Sequence, residues 1–336
     1  MREIVQSRVD LLLENQKAMR KAFCLEDSLT TGVVAASYAE KDKAIDTDSI
    51  KEARKLLKKK QGIFSDLRAY NEITISARMA LSGNPEKYLD ELSEVYDKLK
   101  KGKLFGSAYR VLAAMTVVDL GRFSEADRIV ERTNEIMKGM LKQHPFLTTE
   151  EDTCFAVILA ITNKSVEDIL DELEESYKRT KKLSINGDSA YSLSQVLTAY
   201  TKSAEEKADK AAQLLDAFKA VGITYGRGFE LPSLGVLIGI DADKDEIVKE
   251  VIEVSDLLKG KMGFGFFDLF DNSRLMFGSM LVSGAYLAGD CAANASGIGN
   301  DIGRVLALET VIFITMMYIV SMSVATTTCT TSSCYH

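Results

Sequence analysis

The sequence predicts an all-α protein, an array of stacked helical hairpins of α-solenoid-like type with a unit of about 40 residues. Residues suited to capping helix starts recur at Asp48, Asn84, Ser124, Ser165, Ser203 and Asp243, with separations of 36, 40, 41, 38 and 40 residues. That period is typical of helical-hairpin arrays. Each of these side chains can accept a hydrogen bond from the free N–H groups of a first turn, and each opens a charged amphipathic stretch of about four turns. Only three prolines, Pro85, Pro145 and Pro232, punctuate 336 residues. With no Pro/Gly/Ser-rich linker either, one continuous stack is favoured over two domains.

Met1 to Leu29 reads as an amphipathic helix with Ile4, Val5, Val9, Leu12, Leu13 and Gln16 along one side. The basic runs Arg54 to Lys60 and Lys98 to Lys103 lie toward helix ends, where cations complement the negative end of the dipole. Tyr70 to Leu81 forms an apolar helix, the turn Ser82 to Pro85 follows, and Glu86 to Lys100 forms a second helix with the stripe Tyr88, Leu92, Val95, Tyr96 and Leu99. The next unit pairs Tyr109 to Val118 with a helix carrying Ile129, Val130, Ile136, Met137 and Met140. Two more units pair Thr153–Ile161 with Val166–Tyr177, and Ala190–Ala199 with Ala204–Phe218. The fifth is less regular, since Leu231 to Ile240 contains Pro232, Gly235 and Gly239 before the helix Lys244 to Leu258.

In each pair the first helix is the more apolar, so the first helices are expected to be sandwiched and the second to form the outer surface. A groove lined by first helices is then the place for a ligand, with Tyr70, Arg78, Tyr109, Arg110, Tyr191 and Tyr200 as candidates to face it. The competing reading makes these tyrosines core residues with a wet hydroxyl.

Composition and motif chemistry exclude more than they include. A net charge of −7 argues against a nucleic-acid interface. Five scattered cysteines form no disulfide framework, and the absence of a secretory signal points to the cytosol. With His144 and His336 as the only histidines, a histidine-centred triad has almost no material, and His144 is placed to complement a helix C-terminus. Carboxylates such as Glu150-Glu151-Asp152 and Glu174-Glu175 read as solvated faces. Asp241-Ala-Asp243-Lys-Asp245 resembles the start of a calcium loop, but Glu246 and Ile252 stand where that loop needs Gly and Glu, so it reads as a capping cluster. Gly297 to Gly303 is a dinucleotide-like loop with no preceding strand pattern and reads as a hinge. Gly222–Gly228 and Gly260–Phe267 each follow a helix end, where glycine supplies a left-handed cap. Phe264, Phe266, Phe267 and Phe270 then pack into an interface, or line a ligand mouth. No catalytic residue, metal site or cofactor is expected.

The stretch Ile75-Ser-Ala-Arg78-Met79-Ala-Leu-Ser-Gly-Asn-Pro-Glu-Lys-Tyr88-Leu89, continuing through Leu104-Phe105, resembles an uncharacterised bacterial family catalogued as domain of unknown function 4003. The similarity runs from near the N-terminus to about Gly289. It implies an intracellular helical protein without an assigned activity, and the family supplies no functional residue to carry over.

The expected organisation is a helical-repeat domain over 1–289, a hinge over 290–303, an apolar helix over 304–325 and a Thr/Ser/Cys tail over 326–336. Thr310 to Ala325 is uncharged but has 16 residues, short of the ~20 that span a bilayer. Extending back to Val305 gives 21 and takes in Glu309. Two readings compete: a buried helix closing a curved stack, or a tail anchor through 311–325. The tail, with Cys329, Cys334 and His336, reads as a disordered end, with a soft metal site or a substrate for peptide modification as alternatives. The function expected is a non-catalytic cytoplasmic scaffold binding a protein or peptide. The alternatives are a membrane-tethered scaffold, and a small-molecule-binding protein or enzyme using residues 225–267.

Overall fold

The structure, a computed structural model, describes residues 1–293 except 64, 70, 227, 229 and 262–270, with side chains of the last helix described from 273 to 286. Among the described residues every regular element is helical. In chain order they are α1 (Glu3–Ala22), α2 (Ser28–Glu40), α3 (Thr47–Lys60), α4 (Asp66–Ala69), α5 (Glu72–Leu81), α6 (Pro85–Lys100) and α7 (Ala108–Asp119). There follow α8 (Ala126–Gln143), α9 (Thr153–Ile161), α10 (Val166–Thr180), α11 (Gly187–Thr198) and α12 (Ala204–Ala220). The last are α13 (Leu231–Leu234), which runs into a 3₁₀ turn at Gly235–Gly239, α14 (Lys244–Leu258) and α15 (Asp271–Ala293).

Side-chain caps fix most of the starts. Asn84, Ser165, Ser203 and Asp243 each accept a backbone N–H of the first turn, and Ser203 forms a reciprocal capping box with Glu206. The Asp243 cluster is thus a cap. Three expected boundaries move. Asp46 rather than Asp48 caps α3, because Asp46 is the residue whose backbone is extended. Ser124 falls inside a 3₁₀ turn, and α8 starts after it without a side-chain cap. Met1–Leu29 is two helices, not one: Asp27 accepts from Thr30 N at 2.8 Å and starts α2, so the cap overrides a periodicity that runs on through it.

The helices form two concentric rings. The outer ring runs α1, α3, α6, α8, α10, α12, α14, and each member packs on the next. The inner ring runs α2, α5, α7, α9, α11, α13, α15, with Arg78 of α5 reaching Asp119 of α7 at 3.6 Å. The apolar helices are inside, as their composition requires. In α2, α7 and α9 nearly every residue is buried, whereas the buried residues of α6, α8 and α10 form one stripe. The fuller packing joins each outer helix except α12 to the inner helix after it, while α12 packs most on α10 and α14.

Both rings close. α14 packs on α1, and α15 packs on α1 and α2. The Met1 ammonium meets Glu253 at 2.9 Å, and Arg2 binds Glu250 through its backbone N–H at 2.8 Å and its guanidinium, which also lies 3.4 Å from the Tyr286 ring centroid. Neighbouring outer helices elsewhere follow the same scheme, a late turn of one beside an early turn of the next: Lys60 with Glu86 and Asp90, Lys98 with Asp127, Arg179 with Glu205. Among the described residues closure falls to α14 and α15; the segment 304–325, expected to close the stack, lies outside the described residues. α15 extends through the first four residues of the expected 290–303 hinge.

Candidate functional site

Because outer and inner helices alternate, all outer-to-inner connections lie at one end of the rings. Their mutual contacts confirm it. Arg54 bridges Glu26 and Glu72, at 3.1 and 2.5 Å, and so ties the first connection to the second. Asp66 accepts from Lys100 Nζ and Tyr96 Oη, each at 2.6 Å, which ties the second to the third. Arg110 pairs with Glu150, Thr148 lies 3.4 Å from Tyr191 Oη, and Ser184 donates to Gly226 O at 3.2 Å, continuing the circuit.

This end has two zones. At its mouth, where inner helices begin, is a polar cluster. Asp152, almost wholly buried, accepts from Gln195 Nε2 at 2.6 Å and from Thr149 N at 2.7 Å. Burial, opposed by those two hydrogen bonds and assisted by Glu151 and Asp188, raises its pKa to about 6. This corrects the reading of Asp152 as part of a solvated face, while Glu150 beside it is exposed. Tyr109 donates to Glu151 at 3.3 Å, and Cys154 donates to Tyr109 O at 3.2 Å, with its thiol pushed far up by burial. Burial that disfavours the thiolate makes this thiol a poor nucleophile. His144 sits against Glu174 at 2.7 Å and meets the rings of Tyr177 and Tyr191 edge-on, a packed role at the end of α8. Among the described residues no group of three or more His, Cys, Asp or Glu is arranged to hold a metal ion.

Around the mouth is a rim of connections with large apolar side chains at their tips. Leu25, Ile63, Leu104, Phe105, Phe146, Ile185 and Val221 are all exposed, and Leu25, Phe146 and Ile185 are at least 96% accessible. Exposed lysines stand beside them: Lys21, Lys59, Lys101, Lys103, Lys142, Lys181, Lys182 and Lys219. Six successive connections thus each present an apolar tip next to a cation. Taken one at a time these residues carry no signal. The recurrence of lysine followed within a few residues by Leu, Ile, Phe or Val at the ends of six outer helices is the pattern that would have revealed them.

The six residues proposed to face a groove separate. Tyr109, Arg110 and Tyr191 gather at the mouth through their contacts with residues 148–151, but Arg110 and Tyr191 are buried. Arg78 lies toward the opposite end with Ser37 and Asp119, and Tyr200 donates to Gly235 O at 2.9 Å. Tyr70 lies outside the described residues, as do Phe264, Phe266, Phe267 and Phe270. At that opposite end, cations cap the inner helices: Arg132 donates to the carbonyls of Ala160, Thr162 and Lys164, Lys164 to those of Thr198 and Tyr200, and Lys210 to that of Ile240. A shallow depression of about 430 Å³ lies over α6, lined by Asn84, Glu86, Lys87, Asp90, Glu91, Glu94 and Phe123, and is a charged helix surface.

The fold and this end define a closed helical ring among the described residues, and no described helix is long and apolar enough to span a bilayer. The chain belongs to the family described as protein of unknown function (DUF4003), whose model matches residues 15–320 and so extends past Gly289. No curated protein and no solved structure matches it.

Proposed function

We propose that the protein is a non-catalytic cytoplasmic scaffold that docks onto a larger partner through the rim of outer-to-inner connections. One observation carries this reading: seven large apolar side chains are held in water on six successive connections at one end. Singly scattered apolar side chains are ordinary, but their recurrence on one face of the ring supports reading that face as an interaction surface. The polar cluster at the mouth supports the same reading, because its thiol and its carboxyl are buried and engaged with structural partners. Binding is therefore placed on the rim rather than on a groove between inner helices.

The test compares the full chain with the variant Leu25→Ser, Leu104→Ser, Phe146→Ser, Ile185→Ser in gentle lysates of the native host. The wild type is expected to sediment well above its 37.0 kDa mass and the variant as a monomer. Monomeric sedimentation of both contradicts the proposal.

A further inference from the structure

We infer that the partner of this rim is the surface of an anionic phospholipid bilayer. The inference rests on the docking reading above and names what is docked onto. Three features favour a bilayer over a protein. The apolar tips are one or two residues on each of six connections, spread round a ring, whereas a protein hot spot concentrates its anchors in one central, packed patch. Each tip has a lysine within a few residues, the arrangement in which an apolar side chain enters the acyl boundary while a cation stays at the headgroups. The charge is also placed for orientation. The chain carries a net −7, so an anionic surface repels it as a whole, yet Lys101, Lys103, Lys181 and Lys182 are exposed beside the tips. Two carboxylates of this end are offset by cations, since Arg110 pairs Glu150 and Arg54 pairs Glu72. The face with apolar tips is thus the one where exposed lysines stand beside side chains that can enter an interface.

The geometry makes the interaction peripheral and reversible. The tips reach only the interface, and the lysines act within about one Debye length, so binding must weaken as salt rises. The opposite end stays in the aqueous phase, with Arg132, Lys164 and Lys210 already committed to backbone carbonyls.

The experiment is flotation of the purified full chain with vesicles of phosphatidylcholine alone or containing 30 mol% (about one lipid in three) phosphatidylglycerol. Three proteins are compared: wild type, the four-serine tip variant, and Lys101→Gln, Lys103→Gln, Lys181→Gln, Lys182→Gln. All eight positions are exposed, so circular dichroism and melting are expected to match the wild type. Wild type is expected to float with the anionic vesicles only, with binding reduced at least tenfold in either variant and by 0.5 M (roughly half-molar) salt. Failure of the wild type to float overturns the inference. Equal flotation of the tip variant also overturns it, since binding then resides elsewhere in the chain. If vesicles fail but the tip-dependent complex in lysate persists, the partner is a protein: the membrane inference falls and the docking reading stands. Absence of both removes both.

Discussion

Asp152→Asn probes the mouth of the ring through its pH dependence. Asp152 begins the segment leading into α9, where one carboxylate oxygen accepts from Thr149 N and the other from Gln195 Nε2. It is nevertheless so buried that its pKa rises from 3.8 to about 6, with desolvation the largest cause. A carboxyl whose folded pKa is raised binds its proton more tightly in the native state, so its contribution to stability is lost as pH rises from about 4 to above 6. The difference corresponds to about 3 kcal/mol. Asparagine removes the charge and keeps the shape. Its Oδ1 can accept from Thr149 N, and its Nδ2 can donate to Gln195 Oε1, which is buried without a partner in the wild type. Urea unfolding should therefore find the two proteins equal near pH 4 and the variant more stable by up to about 3 kcal/mol at pH 8. A variant less stable than the wild type at pH 8, by more than at pH 4, would refute the argument, since the charge would then be a net asset of the cap.

Gly278→Ala tests the packing of α15 on α14: an added Cβ would lie 2.7 Å from Val251 O, backbone that cannot turn aside, so a loss of about 1–3 kcal/mol is expected in thermal unfolding. Lys207, 1% exposed, is paired with Glu172, and burial lowers its pKa despite that partner. Glu172→Ala should cost about 3–5 kcal/mol by stranding the cation, while the double change with Lys207→Met should recover most of that loss in the same denaturant assay. Tyr225→Phe removes a hydroxyl held by Ser233 at 2.6 Å and Ser279 at 3.1 Å, and should lower stability by about 1–3 kcal/mol.

Local structure was legible where local physics decides it. The helices α9 and α14 begin and end where apolar density, Asp243 and the following lysine place them, and Asn84-Pro85 marks a start that the fold uses unchanged. The shift from Asp48 to Asp46 was not legible, because three polar residues in succession, Asp46, Thr47 and Asp48, all suit the cap and only backbone dihedrals choose. Burial of Asp152 was hidden for a different reason: its partner Gln195 lies 43 residues away on another inner helix. Closure of the rings left no mark on periodicity either. It depends on the helix tilt and on the number of hairpins, and the residues that seal it, Arg2, Glu250 and Glu253, are ordinary surface charges in the sequence. The rim follows from closure. Leu25 and Ile185 look like isolated apolar residues in polar turns until the topology brings their connections to one end.

Ring closure is the claim on which that face depends, and its most direct test is zero-length carbodiimide cross-linking of the monomer with a free N-terminus. The Met1 amine lies 2.9 Å from Glu253, so an amide joining these two residues should appear in the peptide map of monomeric protein, alongside local links such as Lys55–Glu52. Recovery of the local links without any link from Met1 to α14 would contradict closure and leave an open array.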